Sequence, residues 1–176
     1  MRKMKTLLVL KDKDIGEKAK RDKLDKRETA RAVAFWKGKI AFINVSNNGY
    51  HKLPGGGIEH GEDMHAALHR EMLEETGCEI KIGNEIGKIL EHRTNIGVIQ
   101  TSYCFMADVT KIGKANLDEG EKKAGYKLEW VTIEKALTLL QEEKPRAEEW
   151  VENYMGKFIV KRDIRFIKVA KALLEK

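Results

Sequence analysis

Residues 54 to 78 constrain this chain more than any other stretch. They read Pro-Gly-Gly-Gly-Ile-Glu-His-Gly-Glu-Asp-Met-His-Ala-Ala-Leu-His-Arg-Glu-Met-Leu-Glu-Glu-Thr-Gly-Cys. A glycine-rich bend runs straight into an acidic segment of helical period. Met64, Ala67, Leu68, Met72 and Leu73 fall on one apolar stripe, which is core. Glu62 and Asp63 occupy the first turn, where acids suit the positive end of the helix dipole. Gly77 is placed to end the helix as a C′ residue. Glu71, Glu74 and Glu75 stand at i, i+3 and i+4, so their carboxylates leave the helix on one face. Like charges at that spacing destabilise an isolated helix by a few tenths of a kcal/mol, and a cation held between them reverses the sign. Hard oxygen ligands of this kind suit Mg²⁺ or Mn²⁺. The alternative reading is a solvated face on a chain rich in Lys and Glu.

The whole stretch is more specific than its three glutamates. Gly56 is followed after five residues by Glu62, after seven more by Arg70-Glu71-Met72, then by Glu74-Glu75 and by Gly77-Cys78. This pattern resembles the Nudix box of the Nudix hydrolase superfamily, the MutT-like pyrophosphohydrolases. Every fixed position is filled, Met72 and Cys78 supply the two apolar positions, and Leu53-Pro54-Gly55 resembles the usual lead-in. A motif of this length needs a strand-loop-helix context, which the flanking residues allow.

A chain of 176 residues is expected to form one domain. No apolar run approaches the roughly 18 residues of a membrane span, and Leu7 to Leu10 is too short for a signal-peptide core. Cys78 and Cys104 make no disulfide framework and suit a reducing cytoplasm. The net charge of +6 is unevenly placed. Residues 59 to 77 hold six acids and one arginine, while the remainder carries 33 basic against 22 acidic residues. An acidic site in a basic surround fits a metal site that receives an anion. No helix-turn-helix, zinc-finger or RNA-recognition signature is present, so a nucleic-acid partner is not expected.

In chain order, residues 4 to 10 read as a strand and residues 11 to 28 as a solvated charged loop or exposed helix. Residues 30 to 36 and 39 to 45 form a hairpin about Lys37-Gly38. A short strand from Tyr50 to Leu53 leads into the glycines, whose missing Cβ atoms let the backbone approach a ligand. Residues 79 to 91 and 98 to 108 read as two longer strands and residues 111 to 125 as a loop. Residues 126 to 132 are a last strand, followed by a helix over 133 to 140. A second helix runs from Pro145 to about Met155, Gly156 breaks it, and residues 158 to 174 form a third.

The resemblance covers residues 30 to 132 and implies an α/β fold: an α/β/α sandwich on a mixed sheet, here with additional C-terminal helices. The expected organisation is one domain over 1–176, with an N-terminal strand and charged loop over 1–29, the core over 30–132 and C-terminal helices over 133–176. It further implies hydrolysis of a diphosphate bond in a nucleoside diphosphate linked to another moiety, using Mg²⁺ or Mn²⁺. Carried over by box position, Glu75 is a metal ligand and Glu71 and Glu74 share the metals. Glu71 or Glu74 serves as base for the attacking water. The carbonyl of Gly55 is a backbone ligand, Arg70 orients the glutamates, Glu62 supports the loop, and Gly56 and Gly77 frame the box. A further carboxylate from beyond the box is assigned to Glu121, with Glu119 next in line.

Departures bear on substrate. His51-Lys52 stands where many relatives carry a tryptophan, and no proline follows the box as in ADP-ribose hydrolases. A nucleoside triphosphate, such as an oxidised one, is the default expectation by analogy. Trp36, Tyr50, Tyr103 and Phe105 are candidates to stack on a base. Two rival classes stand beside the enzyme: a nucleotide-sensing module that does not cut, and a hydrolase of RNA 5′ ends. The basic stretches 1 to 31 and 157 to 176 keep the second open. The protein is expected in the cytoplasm, acting on a small-molecule nucleotide, with a homodimer left open.

Overall fold

A computed structural model describes residues 3–176. One eight-stranded mixed sheet runs through them, built from β1 (Thr6–Lys11), β2 (Asp25–Trp36), β3 (Lys39–Val45), β4 (Tyr50–Lys52), β5 (Gly55–Gly57), β6 (Cys78–Arg93), β7 (Val98–Ile112) and β8 (Tyr126–Val131). The strand order is β1-β6-β7-β2-β3-β4, with β5 on β2 and β8 on β3. β1 with β6 and β2 with β7 are parallel, and the other pairings are antiparallel. Four helices complete the fold: α1 (Met64–Thr76), α2 (Glu119–Ala124), α3 (Ile133–Glu142) and α4 (Trp150–Leu174).

The period-2 pleat of β2 separates two cores. Ala30, Ala32 and Ala34 pack with Leu68 and Met72 of α1. Val33 faces the other way, toward Leu140 of α3 and Phe158, Phe166 and Ile167 of α4. Small side chains on the first face let α1 lie close to the sheet. The result is an α/β/α sandwich. No helix among the described residues is long and apolar enough to cross a membrane. Cys78 and Cys104 are buried free thiols.

Four local expectations are corrected. β2 begins at Asp25 because its charged first residues pair in parallel with Val98 to Thr101 of β7. In the same charged stretch Asp12 is buried at 2% exposure. Its carboxylate accepts hydrogen bonds from Thr94 Oγ1 (2.6 Å), Asn95 Nδ2 (2.8 Å) and the Tyr154 hydroxyl. The stretch 111 to 125 is not all loop, since Asp118 caps α2 through its side chain. Gly156 does not break a helix and lies inside α4. A Cβ there would stand 2.9 Å from the Tyr50 ring and 3.0 Å from Pro145, so close packing demands glycine. Leu73, placed on the core stripe of α1, is 46% exposed.

Candidate active site

α1 starts where Asp63 caps the amides of His65 and Ala66, and it ends at Gly77 in the left-handed region. Between these stops the acidic face turns toward β5. Glu75 is only 3% exposed. Its Oε2 accepts from the Gly55 amide at 2.8 Å, and its Oε1 meets Lys52 Nζ at 2.6 Å. Burial presses hardest on the Lys52 ammonium, toward neutrality, but the Glu75 charge, the Tyr126 hydroxyl and the hydrogen bond to Glu75 together outweigh it and the pKa is raised. The Gly55 carbonyl accepts from an Arg31 guanidinium nitrogen and lies 3.5 Å from Lys52 Nζ.

Glycine is required at Gly55 for steric reasons, and at Gly56 it leaves room for the Glu71 carboxylate. Gly55 has φ 130°, and a Cβ there would overlap the Ala30 carbonyl. A Cβ on Gly56 would overlap the Glu71 carboxylate. The bend is therefore shaped to let the acids of α1 approach backbone.

Arg70 fastens the outer half of the site. Its Nε and one terminal nitrogen hold both oxygens of Glu62, at 2.9 and 3.0 Å. That terminal nitrogen, Nη2, also donates to the Gly57 carbonyl (2.9 Å), and Nη1 donates to Glu71 (2.8 Å) and Glu74 (3.2 Å). The hydrogen bonds from Arg70 hold the Glu62 carboxyl down at about 2.

Glu71, Glu75 and Glu121 each place a carboxylate oxygen within 4.8 Å of the others. Glu121 comes from α2, where its Oε2 accepts the Asp118 amide in a capping box. Burial raises the pKa of Glu71, and the Glu75 charge adds to it against the pull of Arg70. Burial likewise raises Glu121, with Glu75 again contributing. Three hard oxygens crowded so that two resist ionising form a donor set that a divalent cation would relieve. The residues fit such an ion.

Glu74 is not brought into this group. Its side chain is 43% exposed and engaged by Arg70 on the outer side. Glu119 also points away, 92% exposed and paired with Lys122 at 2.9 Å. Of the aromatics considered for base stacking, Tyr50 lines the cleft. Trp36, Tyr103 and Phe105 belong to the α1-side core.

The acids open into a cleft of about 780 Å³ between β2, β5, α2 and α4. Sequence reasoning missed most of its lining. Lys52, Arg31, Arg93, Arg162 and Tyr126 belong to it. Alternation along β2 puts Arg31 beside Val33 on one face, a signal that was legible but ambiguous, since a buried arginine is rare. Arg162 lies wholly buried next to Asp163 within α4, and nothing in the local pattern distinguishes it from the helix's surface lysines.

The family pattern described as NUDIX domain matches residues 26–154. The chain belongs to the Nudix family. Diphosphoinositol polyphosphate phosphohydrolase 3-alpha of Mus musculus is 33% identical over 102 residues, covering 57% of this chain and 58% of that protein. Diphosphoinositol polyphosphate phosphohydrolase 2 of Rattus norvegicus is 34% identical over 106 residues, covering 57% and 52%. The match thus spans little more than half the length of these curated relatives. The solution structure of the E. coli ORF135 protein shares the Nudix fold at TM-score 0.59 and 22% identity, over 86% of this chain and 92% of that one. A UDP-X diphosphatase structure does so at TM-score 0.52 and 17% identity, over 89% and 66%.

Proposed function

We propose that this Nudix chain is a divalent-metal-dependent pyrophosphohydrolase that cuts the diphosphate bond of a phosphorylated small molecule. A nucleoside diphosphate linked to another moiety is the class in view, a nucleoside triphosphate included. The observation that carries this reading is the convergence of Glu71, Glu75 and Glu121 at the mouth of a cleft floored by arginines. Glu71, Glu75 and Glu121 would hold Mg²⁺ or Mn²⁺, with the Gly55 carbonyl as the further oxygen once Lys52 and Arg31 release it. When bound, such an ion neutralises charge on phosphoryl oxygens and lowers the pKa of a water.

The chain's own residues supply the rest. Arg31 and Lys52 face the cleft beside Gly55 and attract the diphosphate. Water attacks one phosphorus, the bridging P–O bond breaks, and the leaving phosphate keeps the electron pair. The proton of the attacking water passes to a carboxylate. Of the two glutamates considered for that task, Glu71 lines the cleft. Glu74 stays outside, held by Arg70. Arg70 orients Glu71, and Glu62 in turn fixes Arg70.

The intact acid cluster favours an enzyme over a nucleotide sensor, which needs no such clamp. The curated relatives carry the name diphosphoinositol polyphosphate phosphohydrolase, so the substrate is sought among non-nucleotide diphosphates as well. Buried reduced thiols at Cys78 and Cys104 support a cytoplasmic setting. The test is a panel of nucleotides, sugar nucleotides and other phosphorylated diphosphates, incubated with Mg²⁺ or Mn²⁺ and read by mass spectrometry. Cleavage between two phosphorus atoms in ¹⁸O-water, with label on one product, is expected. No cleavage of any member at any metal concentration would hand the site to the sensor reading.

A further inference from the structure

The cleft has a second, basic end that the reaction above does not use. Arg27 and Arg31 share one face of β2, four residues and roughly 13 Å apart along an extended strand. Arg31 meets Gly55 at the carboxylate end. Arg27 stands at the other end, opposite Gln100 of β7, which is opposite Glu91 of β6. Arg93 follows Glu91 two residues along the same face, and α4 lays Arg162 over it. Arg27, Arg93, Gln100 and Arg162 all line the cleft.

The acids in this region are already consumed. Glu91 accepts from Arg93 at 2.7 Å through one oxygen, and from Gln100 (3.0 Å) and Ser102 (2.8 Å) through the other. Asp163 accepts from Arg162 Nε at 2.7 Å and from the Leu53 amide at 2.8 Å. What remains is a surplus of donors. Both terminal nitrogens of Arg162 and the Nε of Arg93 are buried without a hydrogen-bond partner among the described residues, the nearest acid to Arg162 Nη1 being Glu91 Oε2 at 3.8 Å. Arg162 is fully buried and Arg93 is 4% exposed. At this end Arg27, Arg93 and Arg162 outnumber Glu91 and Asp163 by one charge. Buried donors left unsatisfied are uncommon and destabilising, and a buried charge is ordinarily paired. Guanidinium forks match the oxygens of a phosphate.

We propose that Arg27, Arg93 and Arg162 form a phosphoryl-binding subsite. It seats a second phosphate group of the substrate while the anhydride lies at Glu71, Glu75 and Glu121. The inference rests on the pyrophosphohydrolase reading and deepens it: the substrate is a diphosphate that carries a further phosphate away from the bond being cut.

Two measurements test it. In the first, the full chain in EDTA is titrated with orthophosphate by calorimetry, at ionic strength held constant with chloride. One site is expected. Arg27→Ala and Arg93→Gln should each weaken it by about tenfold or more, the loss of a charge-assisted hydrogen bond. Lys168→Ala, which removes the same charge from the far side of α4, should not. Arg27 lies at the exposed rim, so its variant keeps the test independent of folding. Absence of binding at tens of millimolar phosphate, or equal binding by the arginine variants, overturns the subsite. In the second, two diphosphates that differ only by one phosphate monoester are compared with Mg²⁺. The added phosphate should lower KM by about tenfold, and Arg27→Ala should remove that advantage. Indifference to the added phosphate overturns the subsite alone. Phosphate binding as expected, with no cleavage of any diphosphate, leaves the anion site standing and removes the reading it rests on.

Discussion

Lys52 Nζ lies 2.6 Å from Glu75 Oε1, and both side chains are buried, at 6% and 2% exposure. The ammonium therefore stands where a metal ligand set would need Glu75 free. A divalent ion bound as proposed would compete with Lys52 for one carboxylate. Lys52→Met keeps the aliphatic stem and removes the competitor. In EDTA the variant should be less stable by roughly 3 kcal/mol, because a buried carboxylate loses its partner. Mn²⁺ should then raise its Tm more than it raises that of the unaltered chain. Thermal unfolding of both proteins with EDTA and with Mn²⁺ checks this, and an equal or smaller rise in the variant contradicts it.

Arg70 holds Glu62, Glu71, Glu74 and the Gly57 carbonyl with one planar group. Lysine keeps the charge and loses the fork. Arg70→Lys should cut kcat by about tenfold through a misplaced Glu71, with stability changed by no more than about 1 kcal/mol, as for other partly exposed pairs. Steady-state kinetics and a denaturant titration separate the two effects.

Gly156 sets two opposing terms against each other. Alanine gains roughly 1 kcal/mol of helix propensity. Its methyl would meet the Tyr50 ring at 2.9 Å and Pro145 at 3.0 Å, and such overpacking costs about 1–3 kcal/mol. The steric term wins, because the Tyr50 ring is itself buried and cannot give way. Gly156→Ala should lower Tm by a few degrees. A rise in Tm would show that α4 is looser on β4 than described.

Glu91 governs the acid limb. Burial pushes its carboxyl up, but Arg93 and Arg162 more than reverse this and hold it at about 2. Its folded pKa is below the unfolded one, so its stabilisation is present above about pH 4.5 and disappears as pH falls toward 2. Glu91→Gln should be less stable than the parent at neutral pH, and the gap should close across that window. Unfolding free energies of both proteins against pH test the sign.

How legible this was in the sequence depends on where the signal lived. The acidic helix, its Gly77 stop and the hairpin about Lys37-Gly38 are local features that periodicity and turn residues expose, whereas Glu62 and Asp63, read as the first turn, precede the helix, with Asp63 its N-cap. Gly156 has the residue type of a helix breaker, yet its task is to admit Tyr50 from a strand about a hundred residues earlier. Asp12 sits in a stretch that reads as solvated charge, and Arg162 in a helix whose period does not set it apart from the surface lysines. Asp12 is buried because the distant residues Thr94, Asn95 and Tyr154 satisfy it, while Arg162 bonds Asp163 beside it and lies 3.8 Å from Glu91 of β6, its terminal nitrogens left without a hydrogen bond. Among the site residues, Glu71 and Glu75 follow from helical spacing. Glu74 shares that spacing but meets Arg70 one turn earlier in the same helix, an i,i+4 pair. Lys52 drew notice as a departure from the usual tryptophan, and only the fold shows that it meets Glu75.

The central claim is that a cation held by Glu71, Glu75 and Glu121 supports anhydride cleavage. Its most direct test is turnover of a diphosphate substrate by the unaltered chain and by Glu75→Gln, each shown to be folded by circular dichroism. The account predicts turnover with Mg²⁺, none in EDTA, and a fall of at least about a hundredfold in Glu75→Gln. Turnover that persists in EDTA, or that is equal in the folded variant, would contradict it.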